Sequence, residues 1–158
     1  MVDAEREYAF KDRTGDGVLQ YAQQFVSEAG KKDGLYWPVR EGEEPSPLGP
    51  LAAKASVEGY TGENHRSQPV PYHGYFYKIL KAQGKNAFGG ARDYVINGKM
   101  IGGFAVVAYP AAYGTSGIMT FLVNQDGVVY EKNLGKKTAQ NARGIKAFDL
   151  DNTWHRAE

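Results

Sequence analysis

The sequence contains no cysteine among its 158 residues. This absence excludes disulfide bonds, thiol catalysis and thiolate metal sites at once, although it does not fix the cellular compartment. Long apolar runs are also lacking, and the first 13 residues, MVDAEREYAFKDR, are rich in charge. A signal peptide and a membrane-spanning helix both need an apolar run, so we do not expect this stretch to be either of them.

Excess charge of one sign is absent too. The net charge of +1 comes from 19 basic and 18 acidic residues scattered along the chain. Because no basic stripe stands out, nucleic acid and anionic membrane are disfavoured as partners. The length predicts a single domain over residues 1–158, large enough to bury roughly 70% of the surface that the unfolded chain exposes.

Glycine and tyrosine are abundant, with 20 and 11 residues respectively. Many glycines indicate many short, sharply turned elements. Tyrosine suits sheet faces and cleft walls, where the ring is packed and the hydroxyl stays wet.

A central helix is predicted over residues 17–29. Its apolar positions recur at helical spacing, and Asp16 and Gly30 stand where an N-cap and a C′ glycine belong. We expect this helix, around Tyr21, to cover a sheet. The apolar positions are Val18, Leu19, Ala22, Phe25 and Val26.

Three further helices are predicted. One spans residues 3–10, one starts at Ser46-Pro47, and a short one spans 136–143 with Ala139 and Ala142 inward. Two loops are also predicted. The proline-rich stretch 35–50 is expected to be an ordered loop that Leu35, Tyr36 and Trp37 anchor to the core. Residues 59–73 are expected to form a polar loop.

The second half of the chain predicts strands. GYFYKILKAQ, FAVVAYP, GIMTFLV and GVVYEK are rich in β-branched and aromatic residues, and Asn97-Gly98 is a strong signal for a type I′ hairpin turn. Helices followed by consecutive strands indicate an α+β fold, with N-terminal helices packed on an antiparallel β-meander and a short C-terminal helix.

Five long motifs stand out in this sequence: GLYWPV, SPLGPL, YHGYFYKILKAQG, DYVINGKMIGGFAVVAYPAAYG and GIMTFLVNQDGVVYEKNLG. Together they resemble the motifs of one bacterial family, catalogued as domain of unknown function 2950. The resemblance implies an exported protein, located in the periplasm or at the cell surface, of which this chain is the C-terminal portion of a longer precursor. It brings no catalytic residues to carry over.

A weaker similarity concerns architecture. FAVVAYP, a G-T-S-G loop and TFLVNQDGVVY are similar to the sheet half of type IV pilin-like proteins. The chain lacks the apolar N-terminal helix through which pilins assemble, so the similarity implies a shared fold and not pilin-like assembly.

A candidate calcium loop begins at Asp12. Asp12, Thr14 and Asp16 place oxygen ligands at alternate positions before Gly17, as in EF-hand loops. The twelfth position is Gln23, so the acidic bidentate ligand is missing and only weak calcium binding is expected. In the alternative interpretation Asp16 caps a helix and Asp12 lies in a polar turn.

Catalytic residues are not identifiable. His73 lies among tyrosines at the start of a strand, but no orienting carboxylate or nucleophile stands at a fixed spacing from it. A structural histidine bonded to backbone is the alternative. No phosphate-binding glycine motif and no G-x-S-x-G are present. If the chain is a hydrolase, we expect its catalytic acid and base to lie in loops 31–50 and 59–73.

An aromatic set remains. If its members share one face they line a groove for a ligand such as a saccharide, and otherwise they form the core and its rim. We therefore expect a non-enzymatic binding or assembly module of the cell envelope, with a saccharide or an envelope protein as partner. The alternatives are a hydrolase acting on an envelope polymer and a calcium-stabilised structural module. The set comprises Tyr36, Trp37, Tyr60, Tyr72, His73, Tyr75, Tyr77, Tyr109 and Tyr113.

Overall fold

The computed structural model describes residues 1–51 and 71–158. The chain divides into two compact units, Met1–Val70 and Pro71–Glu158. Helix α1 opens the N-terminal unit at Val2–Ala9, as the sequence predicts, and buries Ala4, Glu5 and Tyr8. The Tyr8 hydroxyl donates a hydrogen bond of 2.9 Å to the carbonyl of Lys32, which fixes one end of the following loop to the helix.

The helix predicted over 17–29 is wrong. This segment runs beside residues 34–36, with an isolated β-bridge between Val26 and Tyr36. The Tyr36 N–H donates to the Phe25 carbonyl, and the Ser27 N–H donates to the Tyr36 carbonyl, both at 2.8 Å. The backbone groups that a helix would pair internally are therefore paired with another segment. No helix around Tyr21 exists to cover the sheet.

The predicted caps of that helix have other roles. Asp16 accepts a hydrogen bond of 3.0 Å from the Val18 N–H in a local turn. Gly30 has a φ of 77°, but it lies in a turn closed by a hydrogen bond of 3.0 Å from the Lys31 N–H to the Glu28 carbonyl. Both residues were assigned to helix ends because caps and tight turns share the same residue preferences.

The proline-rich stretch is pinned to the core of the N-terminal unit as expected. Leu35 and Trp37 are buried, with 0% and 5% of their surface exposed. Helical residues begin at 49, close to the predicted start at Ser46-Pro47. The remainder of that predicted helix and most of the predicted loop, with Tyr60 and His65, lie outside the described residues.

An antiparallel sheet dominates the C-terminal unit and confirms the α+β class. Its five strands follow the order β1-β6-β7-β8-β9. Strands β6 to β9 are thus adjacent in the sheet in the order in which they occur along the chain. Two small hairpins, β2 with β3 and β4 with β5, lie between its first two strands along the chain. The strands are β1 Tyr75–Leu80, β2 Ala82–Gln83, β3 Arg92–Asp93, β4 Val95–Ile96, β5 Lys99–Met100, β6 Ala105–Pro110, β7 Met119–Asn124, β8 Val129–Asn133 and β9 His155–Arg156.

One face of this sheet carries the core. Residues Thr120 and Leu122 of β7 and Val107 of β6 are at most 1% exposed. The C-terminal helix Thr138–Arg143, preceded by a 3-10 turn at Gly135–Lys137, packs against β6 and confirms the helix predicted there. Strand alternation places every second residue on this face, which leaves the other set of side chains on the opposite face.

Local chemistry determines the hairpin between β4 and β5. Asn97 and Gly98 have φ angles of 51° and 79°, the left-handed pair that a type I′ turn needs. This turn was predicted from the two residues alone. Among the described residues, no helix combines the length and the apolar character that crossing a membrane requires.

Candidate functional site

A tight turn at residues 72–75 leads into edge strand β1. Tyr72 and Tyr75 exchange backbone hydrogen bonds of 2.8 and 3.1 Å, so that only two residues form the turn between them. These two, His73 and Gly74, have φ angles of 47° and 78°. Positive φ at a histidine is uncommon and costs about 1 kcal/mol or more, so neighbouring structure must hold the turn in place.

Loop 111–117 supplies that support. The Ser116 hydroxyl donates a hydrogen bond of 2.7 Å to the carbonyl of Gly74 and accepts one of 3.0 Å from the Ala112 N–H. The Ala111 N–H donates to the same Gly74 carbonyl at 2.8 Å. The contacts of Ser116 are those of a structural clamp.

Three tyrosines converge at this end of the sheet, and we call Tyr72, Tyr75 and Tyr77 the tyrosine cluster. The Tyr75 hydroxyl donates to the Met119 carbonyl at 3.2 Å, and its ring lies 5.8 Å from that of Phe121. Burial raises the pKa of Tyr77, and the neighbouring phenols of Tyr72 and Tyr75 raise it further. All three rings are half-buried.

Two more of the predicted residues lie at the same end. The exposed His73 ring packs edge-on against Tyr72 with ring centroids 4.3 Å apart. Tyr113 belongs to loop 111–117 and forms a β-bridge with Gly117. Gly117 itself approaches Tyr75 so closely that a Cβ there would lie 2.2 Å from the phenolic oxygen. Loop and cluster are therefore fitted to one another.

Tyr109 lies apart from the tyrosine cluster. It pairs with Phe76 in the register between β1 and β6, and strand alternation puts both on the face opposite Tyr75 and Tyr77. The Phe76 and Tyr109 rings are 5.6 Å apart, and Tyr109 is only 6% exposed. Tyr109 therefore packs in the core and does not line a groove, which is the alternative given above for the aromatic set.

The remaining predicted pair, Tyr36 and Trp37, belongs to the N-terminal unit. The buried Trp37 ring is faced by the guanidinium of Arg13 at 5.4 Å and by the ammonium of Lys32 at 5.6 Å. Cation–π contacts of this kind stabilise the ring where it lies. The Trp37 indole is therefore held by core packing and by these cations.

The candidate calcium loop is a closed turn. The carboxylate of Asp12 accepts hydrogen bonds of 2.8 Å from the N–H groups of Gly17 and Gly15, and a longer one from Asp16. These N–H groups, that of Gly17 first, lower the pKa of Asp12. The Gln20 side chain donates to the Thr14 hydroxyl at 3.3 Å. Oxygen atoms of this type suit calcium, but the loop already has its shape from N–H donors.

A buried carboxyl in α1 was missed at the sequence level. Glu5 is 0% exposed; its Oε2 accepts a hydrogen bond of 2.9 Å from the Ala22 N–H, and its Oε1 has no partner among the described residues. Burial raises its pKa to about 8. The available signal was its position on the inner stripe of the helix, between Ala4 and Tyr8.

Comparison with known proteins gives one family. A family model described as Protein of unknown function (DUF2950) matches residues 1–157. Searches of the curated proteins and of the solved structures gave no match. The similarity to pilin-like sheets therefore stays a prediction. Since the match extends over the whole chain except its final residue, the chain belongs to the family of proteins of unknown function DUF2950.

Proposed function

We propose that this chain is a non-enzymatic binding module of the bacterial cell envelope, exported to the periplasm or the cell surface, whose ligand binds at the tyrosine cluster. The observation that carries the proposal is that three half-buried tyrosines lie together at the turn 72–75 and the start of β1. Membership in DUF2950 is compatible with this role and assigns no other.

The chemistry of the cluster favours a saccharide. A sugar ring has an apolar face that stacks on an aromatic ring and hydroxyls that pair with phenolic oxygens. The turn is held by the Ser116 hydroxyl and the Ala111 N–H, which both donate to the Gly74 carbonyl, so little ordering is left for the binding step. A segment of an envelope protein, laid along edge strand β1, is the alternative partner.

A thermal-shift panel with soluble peptidoglycan fragments and oligosaccharides tests the proposal. A ligand at a hundred times its Kd stabilises the folded chain by about 2.7 kcal/mol, which raises Tm by roughly 5 to 10 °C. The Tyr77→Ala variant should lose this shift. The matched control is Tyr130→Ala, because Tyr130 is also half-buried but pairs with Leu122 on the opposite face.

Either of two results would reject the saccharide site. One is that no saccharide in the panel raises Tm, and the other is that the Tyr77→Ala variant shows the same rise in Tm as the wild type. The hydrolase alternative is tested in the same samples, since hydrolysis of an envelope polymer would release new reducing ends in proportion to protein and time.

A calcium-stabilised module is the second candidate, and the observation that favours it is the loop from Asp12 to Gly17. Calcium should then raise Tm relative to EDTA, and the Asp16→Asn variant should lose that increment while keeping the oxygen that accepts from Val18. Equal Tm values in calcium and in EDTA would remove this candidate.

A further inference from the structure

Phe88 stands out from the rest of the surface. Its side chain is 99% exposed, the highest value among the large hydrophobic residues that the structure describes. It lies in the connection between β2 and β3, residues 84–91, which we call the Phe88 loop. Fully exposed phenylalanine leaves its whole apolar surface in water, so either the loop is too mobile to bury it or the loop is built to display it.

The Phe88 loop has a fixed shape. Gln83, only 4% exposed, donates two hydrogen bonds from Nε2, to the carbonyl of Phe88 at 2.8 Å and to that of Gly90 at 2.7 Å. The fully buried Tyr94 donates to Oε1 of the same amide at 3.1 Å. A core side chain is thus used to hold the carbonyls on either side of the loop tip.

The base of the loop is held independently. The Asn86 N–H donates to the carboxylate of Asp149 at 2.8 Å, and the Gly84 N–H donates to the Phe148 carbonyl at 2.9 Å. Within the loop, the Ala87 N–H donates to the Gly84 carbonyl at 3.2 Å. With both base and tip held by hydrogen bonds, the backbone at Phe88 has a defined conformation, and the side chain on it is 99% exposed.

Exposed basic residues stand on both sides of Phe88 along the chain. From Lys81 to Arg92 the chain has three basic residues and no acidic one, and all three are exposed. Arg92 reaches the loop tip, because its Nη1 lies 3.8 Å from the point where a Cβ on Gly89 would stand. The Phe88 loop and its flanks therefore carry three exposed cations against two carboxylates, Asp93 in β3 and Asp149 at the loop base, which leaves a small basic excess beside one protruding aromatic side chain.

We propose that the Phe88 loop docks the protein on an anionic lipid surface, with Phe88 in the headgroup region and Lys85 and Arg92 at the lipid phosphates. Amphipathic docking of this kind combines an apolar anchor with cations that stay at headgroup level. This revises, for one loop, the expectation that anionic membrane is a poor partner. The proposal rests on residues outside the tyrosine cluster and stands without a saccharide ligand.

A lipid surface fits the loop better than a protein pocket does. Around Phe88 the tip consists of small residues, and Asn86 is its one neutral polar side chain. Such a tip has few groups for specific recognition, whereas a fluid surface needs none. Lysine is depleted at the cores of protein interfaces but favoured near anionic headgroups.

Flotation of the full chain with vesicles tests the proposal. The wild type should float with phosphatidylglycerol vesicles and not with phosphatidylcholine vesicles. Phe88→Ala should weaken the partition by about ten-fold, because the lost burial of one phenylalanine corresponds to at least that factor. The control is Phe10→Ala, which removes the other strongly exposed phenylalanine, 84% exposed, from the N-terminal unit.

Insertion has its own readout. Tryptophan emission of the Phe88→Trp variant should shift to the blue with phosphatidylglycerol vesicles, relative to the wild type with Trp37 and Trp154. The double variant Lys85→Gln, Arg92→Gln and added salt should each reduce flotation. Absence of flotation would overturn the proposal and leave a protein pocket as the partner of Phe88. Flotation that Phe88→Ala retains, or that Phe10→Ala loses equally, would also overturn it.

Discussion

Replacement of Glu5 by glutamine should make the chain more stable at alkaline pH. The carboxyl of Glu5 is fully buried, and burial raises its pKa from 4.5 to about 8. Glutamine has the same shape and keeps an oxygen to accept from the Ala22 N–H, but it cannot ionise. The comparison of a carboxyl with an amide at this one position therefore isolates the cost of a buried charge.

The sign and size of the effect on the free energy of unfolding follow from the pKa of Glu5 in the unfolded and the folded state. Below pH 4.5 the carboxyl is protonated in both the folded and the unfolded state, and it contributes no pH dependence. Between there and about pH 8 it is protonated when folded and ionised when unfolded, so the unfolding free energy falls by about 1.4 kcal/mol per pH unit. From about pH 5 to about pH 8 the accumulated loss is roughly 3 kcal/mol.

Urea unfolding of both proteins at several pH values across this window is the assay. We expect the difference in unfolding free energy between Glu5→Gln and wild type to grow by roughly 3 kcal/mol as pH rises. The control is Glu7→Gln in the same helix, where the residue is exposed and the difference should stay flat. A difference that does not change with pH, or that shrinks, would refute the reasoning.

Three further substitutions test how the fold holds its loops. Gln83→Leu leaves the buried Tyr94 hydroxyl without its acceptor, so the free energy of unfolding should fall by about 1–3 kcal/mol. Amide hydrogen exchange in residues 84–91 should accelerate, and unchanged exchange would contradict the role of Gln83 in holding the Phe88 loop. Gly117→Ala should displace the Tyr75 ring, since the new Cβ would lie 2.2 Å from the phenolic oxygen of Tyr75. Ligand binding measured by thermal shift should therefore weaken, and binding at wild-type strength would show that the position of the Tyr75 ring is not needed. Lys78→Met removes the ammonium that donates to two carbonyls at the end of the C-terminal helix, and urea unfolding should show a loss of about 1 kcal/mol; no loss would mean that water replaces it.

The sheet could be predicted because its signals are local. Asn97 and Gly98 specify their turn by themselves, and the alternation in GIMTFLV reappears as buried Thr120 and Leu122 between half-buried neighbours. The helix predicted over 17–29 failed because its decisive partners are distant in sequence. The backbone there pairs with residues 34–36 and with the Glu5 carboxyl group, and tertiary pairing of this kind overrides a helical apolar pattern.

The candidate site was only partly predictable, for a reason of register. Tyr75, Tyr77 and Tyr109 are equally aromatic in the sequence, but which of them share a face depends on the pairing of Phe76 with Tyr109. Composition cannot reveal that pairing. Phe88 could not be separated from core phenylalanines either, because its exposure depends on hydrogen bonds from Gln83 and on the neighbouring glycines.

The most direct test of the tyrosine cluster as a ligand site is a nuclear magnetic resonance titration of the chain with ring-labelled tyrosine. Soluble peptidoglycan fragments are the titrant, and assignments come from single Tyr→Phe variants. We predict that the ring signals of Tyr72, Tyr75 and Tyr77 move together and saturate at one Kd, while the signal of the buried Tyr94 stays in place. Signals of the cluster that remain unmoved at saturating fragment, or movement confined to tyrosines outside it, would contradict the account.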